Sequence, residues 1–167
     1  EVRAKLSCVP GAWPAIWMLG KDGDWPIRGE IDLMEWSGLE NDNRTVTSAI
    51  HTEAFHGDVQ SAPANNPQWG DQQLEDLCTE YHDFQLHWTE DYLNIGLDNI
   101  STMVYQKTGS TVNVWPFDQP AYLLLNVAVG GTLGGAVDPA DLPEMKMQVD
   151  YVRVWQKPQS GGSPTTT

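Results

Sequence analysis

Short apolar or alternating runs bounded by Gly, Pro, Asn and Asp divide this chain almost from end to end, and no segment sustains a 3.6-residue period over three turns. The runs cover residues 1–6, 15–19, 30–36, 44–51, 83–88, 92–97, 103–106, 122–129 and 147–155. Each reads as a strand, which predicts an all-β sandwich. The best helical candidate, residues 72–77, makes little more than one turn. Residues 52–70, rich in Gly, Pro, Asn and Gln, read as a long loop of the kind that serves function. Residues 157–167, rich in Pro, Ser, Gly and Thr, read as a flexible linker, which implies an attached partner such as a carbohydrate-binding module. A chain of 167 residues that is 40% hydrophobic suits one domain with its own core, here residues 1–156.

Charge narrows the ligand. With 23 Asp and Glu against 9 Lys and Arg, the net charge is -14, a field that repels phosphate, sulfate and uronate polymers. Nucleic acid and anionic membranes are therefore expected not to be partners. Eight Trp and five Tyr exceed what a core of this size needs, and exposed aromatic rings suit a neutral ligand with apolar faces and polar edges, such as a sugar. About half of the rings are assigned to the core on burial statistics. Cys8 and Cys78 are the only cysteines, and either one disulfide or two buried thiols accounts for them. No run reaches the roughly 18 apolar residues of a membrane span, and no basic start leads into an apolar stretch. A soluble chain without a signal peptide is expected. Asn43-Arg44-Thr45 and Asn99-Ile100-Ser101 fit the glycosylation sequon and agree with secretion.

The chemistry concentrates in Glu30-Ile31-Asp32-Leu33-Met34-Glu35, three acids in six residues of a predicted strand, flanked by Trp36. Like charges side by side cost energy on an ordinary strand. Strict alternation puts Glu30 and Asp32 on one face and Glu35 on the other. One extra residue, a β-bulge at Leu33 or Met34, returns Glu35 to the acidic face and leaves the apolar side chains pointing inward. Such a row suits acetal hydrolysis with retention, in which one carboxylate attacks the anomeric carbon and a second carboxylic acid protonates the departing oxygen. Retaining pairs stand about 5 to 5.5 Å apart, whereas four strand positions separate the backbones by roughly 13 Å, so the side chains must lean together across a concave sheet. An ionised Glu30 raises the pKa of Glu35 and keeps it protonated for its first role. Asp32 between them can share a proton with Glu30.

These residues resemble glycoside hydrolase family 16 in its laminarinase branch, whose signature E-I-D-x-M-E stands here from Glu30 to Glu35. Residues 1–6, 13–19, 115–120, 124–131 and 149–155 are also similar to family segments, in the family's order. The resemblance implies a concanavalin A-like jelly roll, two antiparallel sheets with a concave substrate cleft. It makes Glu30 the nucleophile, Glu35 the acid/base and Asp32 their assistant. Arg3, Trp13, Trp17, Trp36, His51 and Trp115 are implied as substrate-lining. Trp13 and Trp115 are the expected exposed stacking platforms, and Asn126 is expected to support the backbone. Asp150 resembles the side-chain ligand of a structural calcium on the convex face, while catalysis requires no cofactor. By the same resemblance Glu1 matches a position inside the family's domain, and the family's first strands are expected to lie outside this sequence.

The expected activity is retaining endo-hydrolysis of β-1,3-glucan, extending to mixed β-1,3-1,4-glucan, by a secreted, monomeric enzyme. A family branch acting on agar or carrageenan and a non-catalytic β-glucan-binding protein are the alternatives. Binding proteins on this scaffold typically lose the acids that Glu30, Asp32 and Glu35 retain here.

Overall fold

A computed structural model describes residues 1–57 and 66–157. Among these residues ten strands run β1 (Val2–Leu6), β2 (Ala12–Gly20), β3 (Glu30–Glu35), β4 (Thr45–His51), β5 (Trp69–Gln73), β6 (His82–Trp88), β7 (Tyr92–Leu97), β8 (Ile100–Gln106), β9 (Ala121–Val129) and β10 (Met147–Val152). They form two antiparallel five-stranded sheets, ordered β10-β1-β6-β7-β8 and β5-β4-β3-β2-β9. Each of the nine predicted runs is a strand within a few residues of its expected bounds.

The alternation of the strands builds the interior. Val2, Ala4 and Leu6 from β1, Ile16 from β2, Ile31 and Met34 from β3, Ile50 from β4 and Leu93 and Ile95 from β7 are buried together between the sheets. Phe84, Tyr105, Trp115 and Phe117 belong to the same cluster. Removal of this apolar surface from water is what holds the two layers face to face. Cys8 and Cys78 are joined in a disulfide that ties the end of β1 to the turn before its neighbour β6.

Two expectations are corrected here. Residues 72–77 are not helical: Gln72 and Gln73 pair with Val46 and Thr45 as the end of β5, and residues 75–79 are turn. An edge strand beside β4 satisfies those backbone groups, which one helical turn could not. The loop predicted for 52–70 ends earlier for the same reason, since Trp69 and Gly70 are already in β5; its residues 58–65 lie outside the described residues, as do 158–167 of the predicted linker.

Two of the four edge strands, β9 and β10, carry exposed apolar side chains: Tyr122, Leu125 and Val129 on one, Val149 and Val152 on the other, with Val154 and Trp155 just beyond. Strand edges of this kind are where a sheet accepts another strand.

Candidate active site

The acid row is built by the β-bulge expected from the sequence. Against β4, Asp32 lies opposite Ala49 and Glu35 opposite Thr47, so Leu33 and Met34 together face the single residue Ser48. Against β2, Trp17 lies opposite Asp32 and Ile16 opposite Met34, which again leaves Leu33 out of register. Leu33 and Met34 are both buried. Glu30, Asp32 and Glu35 consequently share the outer face of the β5-β4-β3-β2-β9 sheet. Gly29 sets the entry to this strand: its φ is 76°, and a Cβ there would come within 2.5 Å of Pro116.

Indole groups hold both glutamates. Trp25 Nε1–H donates to Glu30 Oε2 at 2.5 Å, and Trp13 Nε1–H donates to Glu35 Oε1 at 2.9 Å. Asp32, 2% exposed, has Oδ2 at 3.2 Å from His51 Nε2, an ion-pair distance but out of line for a hydrogen bond. Gly57 N–H donates to His51 Nδ1 at 3.3 Å, which assigns the ring proton to Nε2, facing Asp32. Burial keeps His51 neutral by lowering its pKa, against the pull of Glu30 and Glu35.

Burial raises the pKa of every acid in the row. Glu30 is pushed up to about 7 by desolvation and then by the charge of Asp32, against the opposing effects of His51 and Trp25. Asp32 is raised well above the carboxylate range by desolvation and then by Glu35. Glu35 is raised mainly by desolvation, against the Trp13 hydrogen bond. Three carboxyls this close cannot all ionise, so they titrate as a set. Asp32 is the most deeply buried and the natural holder of the shared proton. Once it is neutral its charge no longer lifts Glu30, and Trp25 N–H favours the Glu30 anion.

Of the implied substrate-lining residues, three gather at the acids. Trp13 and His51 do so by the contacts just given; Trp17, opposite Asp32, donates its indole N–H to Asn126 Oδ1 at 2.8 Å. Asn126 is exposed and bonds this ring, correcting the expectation that it supports the backbone. The other three are corrections. Arg3 lies in β1 on the opposite sheet, where the inward side chains are Val2, Ala4 and Leu6, and it binds Asp83 at 3.2 Å and Asp150 at 3.6 Å. Trp36 is 1% exposed and donates to Asp42 O, a core residue and not a cleft one. Trp115 is 2% exposed, stacked on Tyr105 and edge-on to Phe117, so it offers no open platform.

The open platforms are rings that sequence reasoning missed. Trp25 and Trp69 are 50% and 42% exposed and pack on His51 at 6.1 and 5.2 Å, and His56 stands edge-on to Trp25. Trp25 carried a legible signal, an aromatic ring in a Gly- and Asp-rich turn five residues before Glu30.

Metal binding is poorly served. Among the described residues one group of acid and His donors, Glu30, Asp32 and His51, lies within 4.8 Å of one another. The proton assigned to His51 Nε2 occupies the atom that would face an ion, so in this tautomer the ring has no lone pair to give a metal there. Asp150 does not fit calcium: its exposed carboxylate meets the Arg3 guanidinium, and calcium takes six to eight oxygens.

The family model for glycosyl hydrolases family 16 matches residues 1–153. A β-glucanase of Rhodothermus marinus is 34% identical over 93% of this chain and 56% of its own length. A keratan-sulfate endo-1,4-β-galactosidase of Sphingobacterium multivorum is 37% identical over 95% of this chain and 36% of its own. The crystal structure of SCLam, a non-specific endo-β-1,3(4)-glucanase, superposes with a TM-score of 0.80 at 42% identity, covering 93% of this chain and 56% of that one. The chain thus spans little more than half the length of these relatives, or less. With the family's signature forming one acidic face on the bulged strand of a two-sheet sandwich, this chain belongs to glycosyl hydrolase family 16.

Proposed function

We propose that this chain is the catalytic part of a secreted, monomeric endo-β-1,3-glucanase that also accepts mixed β-1,3-1,4-glucan. The observation that carries the reading is the bulge, which turns Glu30, Asp32 and Glu35 to one face among exposed aromatic rings. In the first half-reaction, a Glu30 carboxylate oxygen bonds to the anomeric carbon, the glycosidic C–O bond breaks, and the Glu35 proton goes to the departing oxygen. In the second, Glu35 takes a proton from water, the water oxygen bonds to the anomeric carbon, and Glu30 leaves. Asp32 holds a proton beside Glu30 and so regulates its charge. Trp25 and Trp69 offer faces on which glucosyl rings stack. The names of the β-glucanase and SCLam relatives support this substrate class.

A galactan reading has one specific support, the similarity to the galactosidase acting on keratan sulfate. The charge of -14 opposes it, because it repels sulfated polymers. The test incubates the purified chain with laminarin, barley β-glucan, agarose, carrageenan and keratan sulfate, following new reducing ends and product sizes. Oligosaccharides from laminarin are expected. Products from the galactans alone would replace the glucan reading, and binding of laminarin without turnover by a folded sample would favour a recognition protein.

A further inference from the structure

The acid row depends on a bulge, and a bulge leaves backbone groups without ladder partners. Leu33 has no Cα partner on either neighbouring strand. Its carbonyl points into the interior, where Ser48 Oγ–H donates to it at 3.0 Å. Both residues are 4% exposed, which leaves water little access to replace that bond. Ser48 is also the single β4 residue facing Leu33 and Met34, between the buried Val46 and Ile50 in a position where alternation calls for an apolar side chain. Across from it on β5 stands Gly70, where a Cβ would come within 2.9 Å of Met103, so β8 of the facing sheet packs closely on β5 beside Ser48.

We infer that Ser48 is a positioning residue whose hydrogen bond to Leu33 O locks the two-for-one register and so keeps Glu35 on the face of Glu30 and Asp32. Without that bond the buried carbonyl loses a partner that water cannot readily replace, and a slip of one residue relieves the loss. Because the side-chain period of a strand is two, the slip exchanges Glu35 and Met34 between the acidic face and the core. Ser48 touches no substrate in this arrangement and acts only through the backbone of β3. The inference rests on the reading of Glu30 and Glu35 as the reacting pair.

The test compares Ser48→Ala and Ser48→Thr with the parent chain, by kcat and KM on laminarin and by carbon-13 titration of the Glu35 carboxyl, which senses Glu30, Asp32 and His51. Ser48→Ala is expected to lower kcat by roughly 10- to 100-fold, to leave KM within about twofold, and to displace the Glu35 titration. Ser48→Thr, which keeps the hydroxyl, should restore most of both. A folded Ser48→Ala protein with the parent's kcat and the parent's titration curve overturns the inference, as does equal impairment of the Ala and Thr variants. Should Ser48→Ala fail to fold, Ser48→Cys, nearly isosteric with only a weak donor, takes its place under the same criteria. If the parent cuts no glucan, the glucanase reading fails separately, and the carboxyl titration alone decides the role of Ser48.

Discussion

The indole N–H of Trp13 donates to Oε1 of Glu35 at 2.9 Å, across the β2–β3 pair. A donor to the charged form favours ionisation, so this bond opposes the rise that burial imposes on Glu35. Trp13→Phe keeps the ring and removes the donor, which raises the Glu35 pKa further. The expected result is a basic limb of kcat/KM moved to higher pH, with kcat at neutral pH lower by up to about tenfold because deglycosylation needs the Glu35 base. The pH–rate profile of the variant checks this, and an unmoved basic limb would sever Trp13 from the acid/base role.

Glu35→Gln should lose roughly 100- to 10,000-fold in kcat, the range of general acid–base catalysis. Glu30→Gln should abolish turnover of laminarin, since an amide cannot form the glycosyl intermediate. Asp32→Asn retains the shape of the site and should leave a small residual rate. Steady-state kinetics measure all three, and a wild-type rate in either Glu variant removes the assignment.

The strand pattern and the bulge were legible because both follow from local chemistry. Alternation fixes which side chains can share a face, and three acids interrupted by Leu33-Met34 admit one economical way of facing together. Which tryptophan is open was only partly legible: the Gly- and Asp-rich turn around Trp25 pointed outward, but nothing in the sequence marked Trp36 as buried. Trp36 and Trp25 both flank the acid motif, yet one packs beneath the sheet and bonds Asp42 O while the other bonds Glu30 from the loop above. That distinction is set by tertiary packing, as is the placement of Arg3 on the opposite sheet. The pairing of Cys8 with Cys78 was likewise undecided, because 70 intervening residues say nothing about proximity until β1 and β6 are neighbours.

The acid row should make the fold less stable as pH rises. Glu30, Asp32 and Glu35 all have folded pKa values above their unfolded ones, so the folded chain binds more protons from about pH 4 upward. Their contribution is full below the unfolded values and is lost as pH passes the folded ones, about 7 for Glu30. His51, with a lowered pKa, works in the opposite direction as one group against three. Glu30→Gln and Asp32→Asn should therefore raise Tm at pH 8 relative to the parent and flatten its dependence between pH 5 and 8. Thermal unfolding across that range measures it; variants that track the parent at every pH would refute the linkage.

The disulfide should contribute strongly. Closing a loop of 70 residues is worth roughly 4 kcal/mol in the chain-entropy account. For a chain of this size that corresponds to a fall of about 10 °C in Tm for the Cys8→Ser, Cys78→Ser variant. Calorimetry of that variant, and of the parent with and without reductant, checks the figure. A change below about 2 °C would mean the packing of β1 on β6 suffices without it.

The tryptophans divide into two groups with opposite signatures. Trp36 is enclosed in the core, and truncating a buried Trp to Ala costs about 3 to 5 kcal/mol. Trp69 is 42% exposed and meets His51 in a T-shaped contact, so Trp69→Ala should change stability by less than about 1 kcal/mol. On laminarin the order reverses. Loss of the Trp69 face should raise KM several-fold, because a stacked sugar ring contributes to binding in ground and transition states alike and leaves kcat nearly unchanged. The milder core variant Trp36→Phe should lower Tm and leave KM near the parent value. Paired measurements of Tm and KM on the two variants separate the groups. A Trp69 variant that loses stability without losing affinity would assign that ring to the scaffold and leave Trp25, on the loop over Glu30, as the surviving candidate for an open platform beside His51.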